Sequence, residues 1–67
     1  MANRVRLIRK AQNMTLQEVA DVVGCSIPFL ADVERGRRGA KPETWQRIAD
    51  ALGVRVEDLH DAKVSDD

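Results

Sequence analysis

Very little in this sequence is aromatic, and almost nothing in it can bind a metal or form a disulfide. Its 67 residues include one cysteine, one histidine, one phenylalanine, one tryptophan and no tyrosine. A lone Cys25 excludes an internal disulfide and suits a reducing compartment. One Cys and one His cannot supply the four ligands of a structural zinc site, so no metal is expected. His60 is the single histidine and lies near the polar chain end, so no Ser–His–Asp constellation can be assembled. No glycine-rich phosphate loop follows a strand. We therefore expect no enzyme activity and no cofactor. No apolar run approaches the ~20 residues that cross a bilayer, and no signal-peptide pattern opens the chain. A cytoplasmic protein is expected, with no membrane partner. Met1 opens the chain, which reads as a whole small gene product.

What is present is aliphatic and charged. A hydrophobic fraction of 43% is that of a folded chain rather than a disordered one. With Phe29 and Trp45 as the only aromatics, aliphatic side chains must build the core. A chain this short sits near the lower limit for a self-sufficient core, so association is an expected source of added stability. So small a core leaves no room for a small-molecule ligand.

The formal net charge is zero, but it is unevenly spread. Residues 1–41 hold eight cations (Arg4, Arg6, Arg9, Lys10, Arg35, Arg37, Arg38, Lys41) and four anions, a balance of +4. Residues 42–67 hold three cations and seven anions, a balance of −4. A neutral chain with a basic half can still present a positive face to phosphate.

Periodicity and capping signals place five helical segments, with no strand-like alternation and no internal repeat. The first spans about residues 3–12, with Val5 and Ile8 on one face and Asn13 as the stop. The second spans about residues 16–23. Thr15 followed by Glu18 is a capping box, Val19, Ala20 and Val23 form an apolar stripe, and Gly24 ends the helix. The third begins at Ser26 or Ile27. Ser26 is the natural N-cap, but Pro28 disfavours the helical region for Ile27, which could itself be the cap. Leu30 and Val33 face inward, and Gly36 ends it. The fourth spans about residues 42–52, with Pro42 at its first position and Trp45, Ile48, Ala49 and Leu52 at i, i+3, i+4, i+7. A short fifth helix is expected over about residues 56–61, with Val56 and Leu59 inward. The core then covers about residues 4–60, followed by a polar acidic tail over residues 63–67.

Two short helices separated by Val23, Gly24, Cys25 and Ser26 are the constellation that carries function. A tight glycine-containing turn forces them to cross steeply, which lets the second helix project from the body. Residues 15–26 (TLQEVADVVGCS), 33–38 (VERGRR) and 43–54 (ETWQRIADALGV) together resemble the phage repressor/Cro-like helix-turn-helix family, over about residues 4–59. The resemblance implies an all-α, lambda-repressor-like domain of five helices. It implies a bacterial or phage transcriptional regulator that binds a palindromic operator in double-stranded DNA as a homodimer.

By the same resemblance, Arg9 and Glu34 match positions that form a buried ion pair joining helix 1 to the end of helix 3. Arg9 could alternatively contact phosphate or be solvated. Thr15, Leu16 and Gln17 at the start of helix 2, Ser26, and the loop residues Arg35, Arg37, Arg38 and Lys41 match phosphate-contacting positions, which set register without reading sequence. Ile27, Pro28, Phe29, Ala31 and Asp32 match base-reading positions. Here the chain departs from the family, because relatives carry mainly polar residues there. Apolar side chains can touch thymine methyl groups, and Asp32 can accept from a cytosine amino group or pair with Arg35 at i+3. Little direct readout is therefore expected, with more left to DNA shape. The dimer surface is expected in the C-terminal part, from Trp45, Val54, Val56 and Leu59.

A second reading follows from the same departure. Leu7, Leu16, Val22, Ile27 and Phe29 are apolar at positions outside the core pattern. If clustered, they would mark a protein-binding surface, and the chain would be an antirepressor- or antitoxin-like regulator gripping a protein partner. Cys25 is read as a small core residue rather than a redox switch. His60 is read as a surface residue at a helix C-terminus.

Overall fold

Helix starts and stops here follow local chemistry. In the computed structural model, which describes residues 3–60, these give four α-helices: α1 (Val5–Ala11), α2 (Leu16–Val23), α3 (Ile27–Glu34) and α4 (Pro42–Leu52). A single 3-10 turn, Val56–Leu59, follows. Asn3 lies just before α1 rather than within it. Its Oδ1 accepts from the Val5 N–H at 3.0 Å while its Nδ2 donates to the Val33 carbonyl at 2.7 Å, so one side chain starts α1 and ties it to α3. Asn13 stops α1 in the left-handed region at φ 58°, a conformation Asn tolerates better than most residues.

α2 begins with a complete capping box. The Thr15 hydroxyl accepts from the Glu18 N–H at 3.0 Å, and the Glu18 carboxylate accepts from the Thr15 N–H at 2.8 Å. Ser26 is the N-cap of α3, its Oγ accepting from the Phe29 N–H at 3.2 Å. Ile27 is therefore the first helical residue and Pro28 the second, where its missing N–H costs nothing.

The expected fifth helix is a correction. Residues 56–59 form only a 3-10 turn, held by i→i+3 bonds from Asp58 N–H to the Arg55 carbonyl and from His60 N–H to the Glu57 carbonyl. Two inward residues three apart, Val56 and Leu59, fit the 3.0-residue period as well as the 3.6-residue one. Asp61, the expected helix end, and the acidic tail lie outside the described residues.

The core is wholly aliphatic. Val5, Val19, Ala20, Val23, Leu30, Val33, Ile48, Ala49, Leu52 and Leu59 are buried, one or more from every element. Each of the larger ones contributes about 1.5–3 kcal/mol by leaving water. Phe29 and Trp45 sit at its rim, partly buried. Polar ties close the ends. Gln12 donates to the Leu52 carbonyl at 2.6 Å, and the Arg4 N–H donates to the Leu59 carbonyl at 2.8 Å. Among the described residues no helix is long and apolar enough to cross a membrane.

Candidate nucleic-acid interface

Three residues, Gly24, Cys25 and Ser26, connect α2 to α3. Gly24 has φ 87°, which a side chain would strain, and it allows the N–H groups of Gly24 and Cys25 both to reach the Ala20 carbonyl. The chain reverses within those residues and Ser26 restarts the next helix. Cys25 lies half-buried at this corner against the core, and burial pushes its thiol up from the ordinary value. A protonated, packed thiol is a filler of space rather than a nucleophile.

α3 has two different faces. Leu30, Val33 and Glu34 are buried. Ile27 and Pro28 are exposed, and Ala31 and Asp32 half-exposed, so four of the five expected base-reading residues present surface. Phe29 differs. Its ring packs partly against the core, and the Arg38 guanidinium lies over it, 5.4 Å from the ring centroid. That stacking is worth about 0.5–1 kcal/mol at an exposed site. It makes Phe29 a seat for a loop arginine rather than a free probe. Asp32 makes no ion pair with Arg35 among the described residues; the ion pairs there are Arg9–Glu34 and Arg55–Glu57.

The loop after α3 is shaped by a second glycine. Gly36, at φ 75°, lets Arg37 N–H bond back to the Asp32 carbonyl at 2.9 Å. Arg35, Arg37, Arg38 and Lys41 are all exposed on this loop. They form a cationic edge beside the outward face of α3. Thr15 and Gln17 are exposed at the start of α2, and Leu16 is half-buried. The capping box occupies the N–H groups of Thr15 and Glu18. Those of Leu16 and Gln17 have no acceptor within the helix and are suited to an anion.

Arg9 occupies one of its two expected places and not the other. It is only 8% exposed. Its Nε donates to Glu34 Oε2 at 2.6 Å, its Nη2 to Oε1 at 3.3 Å, and its Nη1 to the Met14 carbonyl at 2.8 Å. This bidentate pair joins α1 to the end of α3. A guanidinium so engaged and covered has little left for a phosphate, which corrects its placement among the phosphate contacts.

Two further placements differ from expectation. Leu59 is fully buried in the core and cannot line a dimer surface. Trp45, Val54 and Val56 are partly exposed and form the apolar surface of that region. His60 is exposed and lies against Trp45, with ring centroids 4.9 Å apart, so it belongs to the same surface. The apolar set Leu7, Leu16, Val22, Ile27 and Phe29 also divides. Leu16 and Phe29 pack on the core, leaving Leu7, Val22 and Ile27 exposed.

A groove of about 680 Å³ runs between α1, the start of α2 and the end of α3. It is lined by Arg6, Arg9, Lys10, Thr15, Leu16 and Arg35, among others. In the sequence Arg6 and Lys10 count only toward the basic balance of residues 1–41. Their i, i+4 spacing was a visible signal that both charges share one side of that helix. A second, smaller groove of about 360 Å³ at the α2–α3 corner is bordered by Arg38 and Arg47.

Comparison with known proteins places these features in context. The Helix-turn-helix family model matches residues 5–59. The chain is 36% identical over 59 residues to the HTH-type transcriptional regulator DdrOP3 of Deinococcus deserti, covering 88% of this chain and 46% of that protein. It is 34% identical over 56 residues to the immunity repressor protein of Bacillus phage phi105, covering 84% of this chain and 39% of that one. It thus spans less than half the length of these two relatives. The crystal structure of the restriction-modification controller protein C.AhdI from Aeromonas hydrophila superposes with a TM-score of 0.80 at 27% identity, covering 84% of this chain and 85% of that chain.

Proposed function

The chain belongs to the Helix-turn-helix family, whose model matches residues 5–59, and from that premise we propose that it is a cytoplasmic, DNA-binding regulator of transcription. The observation that carries this reading is the capped α2–turn–α3 unit with a cationic loop beside its exposed face. In this reading α3 enters the major groove while α2 crosses the backbone. The free N–H groups of Leu16 and Gln17, with Thr15 and Ser26, hold one phosphate region. Arg35, Arg37, Arg38 and Lys41 hold another. These contacts set register and strengthen salt dependence without reading sequence.

Base reading falls to Ile27, Pro28, Ala31 and Asp32. The first three offer methyl and methylene surface to thymine, and Asp32 offers an acceptor to a cytosine amino group. The DNA's own shape supplies the remaining discrimination. Two copies pair through the surface of Trp45, Val54 and Val56, so that two α3 helices meet a palindromic operator about one DNA turn, roughly 34 Å, apart. Occupancy of a promoter then blocks polymerase. Control rests on protein concentration and competition for the operator.

Selection from a random duplex pool, followed by titration at several salt concentrations and sizing of the complex, tests this. A two-fold-symmetric site bound by two copies, with affinity falling steeply with salt, is the expected result. A failure to enrich any site, together with recovery of a stoichiometric protein partner through the exposed Leu7, Val22 and Ile27, would overturn it.

A further inference from the structure

Of the cations assigned to phosphate so far, Arg37, Arg38 and Lys41 lie on the loop beside the outward face of α3, and Arg35 caps the end of that helix. The groove between α1, α2 and α3 places further cations on the other side. Its lining carries four positive side chains, Arg6, Arg9, Lys10 and Arg35, against one carboxylate, Glu34. That carboxylate is already used, because Arg9 holds it in a bidentate pair. Arg6, Lys10 and Arg35 are exposed, and none is in an ion pair among the described residues. The groove therefore holds three uncompensated charges contributed by two elements, around the unfilled N–H groups that open α2.

We infer that Arg6 and Lys10 of α1 are DNA-backbone contacts, and that they extend the grip of Arg35, at the junction of α3 and the loop, to phosphates on the side of α3 away from Arg37 and Arg38. The inference rests on the reading of the chain as a DNA-binding regulator and adds to it a second line of backbone contact. The charge logic favours phosphodiester over a carboxylate ligand. The lining is open and polar, and long flexible cations around a helix N-terminus suit a solvated tetrahedral anion. The two helix positions are one turn apart, so both side chains reach the same rim of the groove. Arg9 has a different role here. It neutralises Glu34 and leaves the groove's field to the exposed cations.

Counterion release supplies a test specific to contact. Each phosphate neutralised adds about 0.9 to the slope of log affinity against log salt. Arg6→Gln and Lys10→Gln keep helix-forming side chains at exposed positions, and circular dichroism checks that both variants fold. Binding of each purified variant to the selected duplex is measured across salt, with Arg55→Gln as a control for net charge. Arg55 lies in the acidic half, beside Glu57. The expected result is a slope shallower by about 1.8 for each α1 variant, about 0.9 for each of the two bound copies, and unchanged for Arg55→Gln. The α1 double variant, with two contacts missing from each of two copies, then loses about 150-fold less affinity than the parent between about 50 and 200 mM salt. A parent slope retained in both α1 variants, or lost equally in Arg55→Gln, overturns the inference while leaving DNA binding itself intact. A parent that binds no duplex overturns the regulator reading instead, and this inference with it.

Discussion

α2 and α3 are both eight residues long, both start at a hydroxyl cap and both run into a left-handed glycine, yet they are built for different work. α2 has an apolar side of Val19, Ala20 and Val23 and a mostly polar outer side of Gln17, Glu18 and Asp21. Burial alone orients such a helix. α3 is apolar on the inside, at Leu30 and Val33, and apolar again on the outside, at Ile27 and Pro28. Burial alone would leave its rotation poorly determined. Its orientation is fixed by specific polar ties at its C-terminal end, the Arg9–Glu34 pair and the Asn3 bond to the Val33 carbonyl. Amphipathicity orients one helix of the pair, and charge geometry orients the other.

The largest way to break that contrast is to cut the tie. Arg9→Ala leaves Glu34 charged and unpaired in a buried site, so the expected loss is about 3–5 kcal/mol, comparable to the whole stability of a small domain. Urea denaturation of Arg9→Ala, Glu34→Gln and the double variant checks it. A loss below about 1 kcal/mol in Arg9→Ala would mean that packing alone orients α3.

Next in size are the two caps. Thr15→Ala and Ser26→Ala should each cost about 1 kcal/mol, because each removes one hydroxyl acceptor from one N–H group at a helix start. Thermal melts of the two variants compare them directly. A loss near zero for either variant would show that its hydroxyl does not hold that helix start.

The smallest expected effect on stability sharpens the contrast most. Ile27→Ser alters the outer face of α3, 41% exposed, and should shift stability by no more than about 0.5 kcal/mol. The same substitution should change which duplexes are enriched from a random pool. A large loss of stability would place Ile27 in the core set and remove it from the contact face.

Much of this was legible along the chain. The bounds of α2 and α4 follow from their caps, prolines and glycines, because those signals act within a few residues. The start of α3 was ambiguous between Ser26 and Ile27, since the proline effect and the serine cap compete locally. The fourth-residue spacing of Arg6 and Lys10 was visible too, but its meaning depended on which groove α1 borders. Phe29 and Leu59 were misplaced because an apolar residue in a pattern does not state which neighbour covers it. Phe29 is covered by Arg38, nine residues further along the chain, and Leu59 by the core that α1 and α4 enclose.

The amino-acid sequence by itself determined the four α-helices, the tight α2–α3 turn and the aliphatic composition of the core. These depend on neighbours within one or two turns: a hydroxyl and a carboxylate three residues apart, a glycine that accepts positive φ, apolar side chains at helical spacing. Only the tertiary structure decided that residues 56–59 close as a 3-10 turn, that Arg9 is spent on Glu34, and that Arg6, Lys10 and Arg35 share one groove. Those outcomes depend on which surfaces meet across twenty or more residues of chain, where the contact itself decides whether a charge is neutralised or left facing solvent.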